Sequence, residues 1–306
     1  MITRTLLLQM AGSRQMEHFA RHNRLATAMA QRFIAGETIE QVTEPVRQLN
    51  AKGFTVSLDF LGESVTSEQE IAGTVDTYLR LFQHIRTNEL NANVSIKLTA
   101  LGMDIGPEIA SRNLQRLLKA AAPELFVRID MESSAHTETT LQIFRDVFTA
   151  AVPLTNTGVV IQSYLRRSEA DVEELIKLGA RVRLCKGAYQ EPGSVAFTTR
   201  AEVDASYVRL MRRLLESGVY PAIATHDKQM IDAALQFKQE LQLAPDRFEF
   251  QMLYGVRREL QEQLVKEGNR MRIYTPFGDH WYPYTMRRLA EKPANLKLAL
   301  TSMLRG

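Results

Sequence analysis

Tyr284, Arg287 and Arg288 lie in the stretch GDHWYPYTMRRLAE, Gly278 to Glu291. On a helix these three occupy i, i+3 and i+4 and project from one face. A hydroxyl-tipped aromatic wall beside two guanidinium groups suits a small carboxylate with an apolar body. The planar fork of arginine matches both oxygens of a carboxylate at once. The plain alternative is a solvated basic patch at a helix end, and YxxRR alone does not separate the two. The same stretch holds the single tryptophan, Trp281, and follows RMRIYTPFG. That run reads as a short strand, Met271 to Thr275, closed by a Pro–Phe–Gly turn.

More groups able to do chemistry sit at or just past the ends of other β-rich runs: Asp59, Lys97, Asp130, Gln162, Arg183 with Lys186, His226, Gln251 and Tyr274. The runs are Thr55–Asp59, Val94–Leu98, Phe126–Met131, Gly158–Gln162, Arg181–Lys186, Tyr220–Ala224, Phe248–Met252 and Met271–Thr275. Amphipathic stretches fill the gaps at 66–91, 108–122, 135–151, 168–178, 200–217, 227–242, 256–267 and 282–291, and 15–35 and 38–52 read as two leading helices. Eight strands alternating with eight helices predict a parallel α/β fold, a (β/α)8 TIM-type barrel with extra N-terminal helices. The expected organisation is one domain over 1–306, with leading helices at 1–53 and barrel plus C-terminal helices over 54–306. In such a barrel the C-terminal ends of the strands converge on one mouth, which is where active sites form. Unpaired polar residues on a core strand would be costly; at the mouth they become a ring around one ligand.

The cations expected there are Lys97, Arg183, Lys186, Arg287 and Arg288, against Asp130 and Glu63 as acidic candidates. That excess implies an anionic ligand or cofactor. KGAY, Lys186 to Tyr189, follows the fifth strand with a Gly–Ala pair that would let backbone approach a flat or phosphorylated cofactor, or else forms an ordinary turn. Neither the GxGxxG fingerprint nor the P-loop occurs, and HExxH and GxSxG are also missing. His18 and His22 are four apart but have no third ligand and read as a solvent-facing pair. His226, in ATHD, reads as a cofactor-contacting or supporting group over a structural histidine. Lysines at strand ends also suit a Schiff-base aldolase using Lys97 or Lys186; the filled charge ring argues against a non-enzymatic binding barrel.

Composition narrows the classes further. The 38 basic and 35 acidic residues nearly cancel in a chain of 306, which gives no support for nucleic-acid binding. The single cysteine, Cys185, excludes an internal disulfide and a multi-cysteine metal site, and reads as a small buried hydrophobe inside a strand. The apolar run in MITRTLLLQM is short for a signal peptide, and no segment reaches transmembrane length, so the expectation is a cytoplasmic protein. The tail Asn295 to Gly306, apolar with basic ends, reads as a helix packed on the barrel, or as a lid or membrane-contacting segment.

Seven blocks together resemble the proline dehydrogenases, in the compact monofunctional bacterial type: SIKLTALG (Ser95–Gly102), RIDMES (Arg128–Ser133), IQSYLRR (Ile161–Arg167), VRLCKGAY (Val182–Tyr189), ATHD (Ala224–Asp227), FQMLYGV (Phe250–Val256) and RIYTPFG…YPYTMRRLAE (Arg272–Glu291). The resemblance implies a distorted (β/α)8 barrel that holds FAD non-covalently and oxidises L-proline to Δ1-pyrroline-5-carboxylate by hydride transfer from C5 to flavin N5. It implies a membrane quinone as electron acceptor, with peripheral contact at the inner face of the cell membrane, and a separate pyrroline-5-carboxylate dehydrogenase in the pathway. By position, Lys97, Arg287 and Arg288 would hold the substrate carboxylate, and Tyr274, Tyr284 and Leu253 would wall the ring. Asp130, Met131, Gln162, Arg183, Lys186, Gly187, Ala188, Tyr189, Thr225, His226 and Gln251 would hold the flavin, with Asp130 and Arg183 catalytic. Glu63 resembles the acidic gate residue that pairs with the first arginine of the pair. No metal is implied.

Overall fold

A computed structural model describes residues 13–23, 32–62 and 65–291. Its centre is a closed barrel of eight parallel strands paired in sequence order. The strands are β1 (Thr55–Phe60), β2 (Ala92–Ile96), β3 (Val127–Ile129), β4 (Thr157–Gln162), β5 (Arg181–Cys185), β6 (Ala222–Ala224), β7 (Glu249–Leu253) and β8 (Met271–Phe277). Among the described residues two helices lead, α1 (Arg14–His22) and α2 (Thr43–Ala51). One helix follows each strand: α3 (Glu68–Thr87), α4 (Pro107–Ala121), α5 (Ser134–Phe148), α6 (Ser168–Lys177), α7 (Arg200–Ser217), α8 (Lys228–Glu240), α9 (Arg258–Lys266) and α10 (Trp281–Glu291). Among the described residues no helix is long and apolar enough to cross a membrane.

Alternation along the strands sorts the residues. Successive side chains of a strand face opposite sides. Val56, Leu58, Val94, Ile96, Val182 and Leu184 are fully or almost fully buried and belong to the main apolar core, which lies between strands and helices. The alternate residues, among them Ser57, Asp59, Ser95, Arg128, Arg183, Glu249, Gln251 and Arg272, point into the barrel. Arg183 on β5 hydrogen-bonds Ser57 on β1, Ser95 on β2 and Gln251 on β7, which is possible only across the interior. A barrel of this type is usually filled by bulky branched apolar residues; this one is filled by hydrogen-bonded polar ones.

The helices start where the mouth needs them. Ser67 and Glu70 form a capping box on α3, and Thr199 and Glu202 form one on α7. Asp227 caps α8 by accepting from the Gln229 N–H. Such side chains satisfy backbone N–H groups that have no partner within the helix.

The leading region departs from expectation. The helix expected over 15–35 ends at His22, and residues 24–31 lie outside the described set. Residues 32–42 are not helical, so the helix expected over 38–52 begins at Thr43. The reason is long-range: the Ala35 N–H donates to the Pro276 carbonyl and the Gly278 N–H to the Gly36 carbonyl, which ties this segment to the end of β8. A second apolar cluster, with Phe33, Ile34 and Leu61 against Trp281, Tyr284 and Leu289, seats α10 beside the mouth. The Trp281 indole N–H donates to Glu37 at 2.9 Å. Strand boundaries moved by a few residues; β3 and β6 are three residues each, which leaves Asp130 and Met131 just beyond β3. Glu63 and the segment from Asn295 onward lie outside the described residues.

Candidate active site

One cavity of about 790 Å³ opens at the C-terminal ends of the strands. Its wall contains Lys97, Asp130, Met131, Gln162, Arg183, Lys186, Gly187, Ala188, Tyr189, Thr225, His226, Gln251, Leu253, Tyr274, Tyr284, Arg287 and Arg288, so every expected site residue within the described set meets there. Asp59, Cys185, Arg200, Asp227, Lys228 and Arg257 line it as well.

At the base, Arg183 is held on three sides. Its Nη1 donates to Asp130 Oδ1 at 2.5 Å, its Nε to Gln251 Oε1 at 2.5 Å, and its Nη2 to Ser95 Oγ at 3.0 Å and Ser57 Oγ at 3.3 Å. Asp130 Oδ2 accepts from the Tyr274 hydroxyl at 2.8 Å, and the guanidinium lies 5.2 Å from the Tyr274 ring centroid. Burial, and then the nearby Asp130 and Asp59 carboxylates, push the Tyr274 hydroxyl far above its ordinary value, so it stays a donor. Arg183 and Gln251 lie within their strands and not at the ends, which makes the polar mouth deeper than a rim.

Lys97 sits one residue past β2, and its ammonium donates to both oxygens of Asp59 at 3.1 Å. Burial raises the Asp59 carboxyl to about 6, Lys97 pulls it down and Asp130 pushes it up. Lys186 pairs with Asp204 and, at 2.8 Å, with Asp227, and Arg200 also bridges these two carboxylates. The expected tally of charges is therefore corrected: Asp59, Asp204 and Asp227 join Asp130 and offset much of the positive excess. Arg200, Asp204 and Asp227 converge from α7 and the α8 cap, a meeting that strand-end reasoning does not see. The left-handed Arg257 (φ 55) is another missed lining residue, and its Nη1 donates to the His226 carbonyl at 2.5 Å.

The Lys186–Tyr189 loop has a built shape. Gly187 has φ +115, and a Cβ there would lie 2.3 Å from the Tyr164 ring, so only glycine fits. The Glu191 carboxylate accepts from the Ser134 N–H at 2.7 Å and from its hydroxyl, which anchors this loop on the start of α5. His226 Nε2 accepts from the Leu253 N–H at 2.9 Å, so the ring proton is on Nδ1. Gln162 donates to the Glu132 carbonyl at 2.8 Å. Cys185 ends β5, partly buried, where it packs against the main apolar core and also lines the cavity; desolvation pushes its thiol up to about 12 and keeps it protonated. On α10, the Arg288 guanidinium stacks 5.2 Å from the Tyr284 ring centroid. The His18 and His22 rings lie 4.3 Å apart at a tilt of 43°, and no group of metal-ligating side chains occurs among the described residues.

This donor set suits a long cofactor with a polar ring and phosphates: amides at Gln162 and Gln251, a glycine that brings backbone to the wall, and cations at Lys186, Arg200 and Arg257. The arginine pair on α10 adds two guanidinium groups to the same wall.

The family model described as Proline dehydrogenase matches residues 42–299. Proline dehydrogenase 2 of Bacillus subtilis (strain 168) is 40% identical over 304 residues, covering 99% of both chains. Proline dehydrogenase of Deinococcus radiodurans is 38% identical over 307 residues, covering 99% of this chain and 98% of its own. Among solved structures, proline utilization A from Bdellovibrio bacteriovorus, inactivated by N-propargylglycine, superposes with a TM-score of 0.81 at 28% identity; the match covers 87% of this chain and 33% of that one. Motif order, barrel, mouth and relatives converge: the chain belongs to the proline dehydrogenase family.

Proposed function

We infer that this protein oxidises L-proline to Δ1-pyrroline-5-carboxylate with FAD held non-covalently in the mouth, and that the electrons pass on to a membrane quinone. Carrying the reading is one observation: the α10 face of Tyr284, Arg287 and Arg288 shares a cavity with the Arg183 network and the Lys186–Tyr189 loop. Bound flavin supplies the hydride acceptor. The chain's own residues do the rest. Arg287, Arg288 and Lys97 bind the carboxylate and fix the ring without touching the reacting carbon. Tyr274, Tyr284 and Leu253 wall the ring and exclude water. Arg183 and Asp130 present an oriented charge pair at the base of the site. Lys186, Arg200 and Arg257 would meet the phosphates. The remaining parts of the reading are a cytoplasmic location with peripheral membrane contact, a gate at Glu63, one domain over the chain, and a separate enzyme consuming the product.

The Schiff-base alternative loses ground here. Lys97 and Lys186 are each engaged by carboxylates, whereas a Schiff-base amine is activated in apolar or cationic surroundings. The test is the visible spectrum of the purified protein and the identity of its released cofactor. A yellow protein that releases FAD, bleaches with L-proline and reoxidises with a quinone analogue is expected. A colourless protein that takes up no FAD would sink this reading, and a borohydride-reduced adduct on Lys97 or Lys186 would favour the aldolase.

A further inference from the structure

Glu249 lies on β7, one inward-facing position below Gln251, and does not line the cavity. It is 2% exposed. Arg272 on β8 donates to both of its oxygens, Nε to Oε1 at 2.7 Å and Nη2 to Oε2 at 3.1 Å. Oε1 also accepts from the Gln251 side-chain amide at 2.5 Å. The other end of that amide, Oε1, accepts from Arg183 Nε at 2.5 Å.

We propose that Glu249 is a positioning residue: through Gln251 it sets the orientation of the Arg183 guanidinium at the base of the mouth.

An amide has a donor end and an acceptor end of nearly equal shape, and only its neighbours choose between the two orientations. An ionised carboxylate can only accept, and an arginine Nε can only donate. Glu249 on one side and Arg183 on the other therefore leave one arrangement. Burial raises the Glu249 carboxyl, but the charge of Arg272 and the hydrogen bonds from Arg272 and Gln251 outweigh it and hold the group below its ordinary value. The acceptor thus persists across the working pH range. Asp130 meets the Arg183 guanidinium at Nη1, and Ser57 and Ser95 meet it at Nη2; the Gln251 contact at Nε holds the remaining edge, beside the side-chain stem. Beside this stands the plain role of Glu249 as the buried counter-ion of Arg272, which predicts lost stability and nothing specific at Arg183.

The test is arginine side-chain NMR of the purified protein. The Arg183 Nε–H resonance is assigned by its loss in Arg183→Lys. In the wild type it is expected to exchange slowly with solvent. In Glu249→Gln it should exchange roughly tenfold faster, and the turnover number should fall roughly tenfold with KM for proline within about twofold. Gln251→Leu breaks the link but leaves the Glu249–Arg272 pair, and should reproduce the effect on the Arg183 resonance even if Glu249→Gln does not fold. Adding Glu249→Gln to Gln251→Leu should then change that resonance no further. Unaltered Arg183 protection in folded Glu249→Gln, or in Gln251→Leu, overturns the proposal. Only the turnover arm rests on the reading of the mouth as a proline and flavin site. The resonance needs no substrate, so a protein inactive with proline can still pass, and an active one whose Arg183 ignores Glu249 sinks this inference alone.

Discussion

Arg287 and Arg288 carry the most direct consequence of the site. Each is expected to make charge-assisted hydrogen bonds to the substrate carboxylate, of about 1.5–3 kcal/mol. Arg287→Met or Arg288→Met should therefore raise KM for proline roughly 10- to 150-fold while the flavin spectrum persists. Steady-state kinetics giving a KM within about twofold of wild type would show that the carboxylate binds elsewhere. Tyr284, one turn earlier and 6% exposed, closes the same corner. With proline bound as proposed, the Tyr284 ring would take the space that a hydroxyl on C4 needs, and excluding one added group is worth about 1–3 kcal/mol. Tyr284→Ser should weaken proline binding and raise the relative kcat/KM for trans-4-hydroxy-L-proline; an unchanged ratio would remove Tyr284 from the specificity wall. These residues were legible because YxxRR falls on one helical face. The partners of the lysines were not. Asp59 meets Lys97 only when β1 and β2 pair with Asp59 beside Ser95, and no local pattern encodes that register.

Among the elements, α10 depends on the turn that delivers it. Gly278 has φ +126, and a Cβ there would lie 3.2 Å from the Leu61 backbone N and O. Gly278→Ala should cost about 1–3 kcal/mol through backbone strain, and should displace the start of α10 from Leu61. The expected signature is a higher KM for proline with flavin content unchanged; loss of flavin with KM preserved would mean that the turn serves the barrel and not the helix. The strands were readable because their outward residues form short β-branched and apolar runs bounded by turns. The leading segment was misread because its helical pattern is local, whereas the bonds of Ala35 and Gly36 to the end of β8 come from residues about 240 positions away. Arg200 and Asp227 were passed over for the same kind of reason: each looks like an ordinary helix-start residue, and only the barrel brings both to Lys186.

For the whole molecule, the buried ion pairs give stability a definite pH dependence. Asp59 is raised to about 6, so between about pH 4 and 6 the native state holds a proton that the unfolded chain has released. Its stabilising contribution is complete below the unfolded value and is lost as the pH rises through about 6. Asp59→Asn has no such step. The difference in Tm, wild type minus variant, should shrink as the pH goes from about 4 to about 7, an effect on the order of 3 kcal/mol. A pH-independent difference would show that Asp59 does not carry this proton. Glu249 works in the opposite sense: its value is lowered, so its contribution is present at neutral pH and fades on acidification.

The ion pairs in and around the mouth have one more consequence. Arg183 is countered by Asp130, Lys97 by Asp59, Arg272 by Glu249, and Lys186 by Asp204 and Asp227. The vessel neutralises these four cations within its own walls and does not wait for its passenger to do so. Stripping the cofactor should leave an apoprotein that keeps its far-ultraviolet circular dichroism and reloads reversibly. Calorimetry of reloading should give the modest heat-capacity change of filling a ready-made chamber, and not the large one of a chain that folds around its guest.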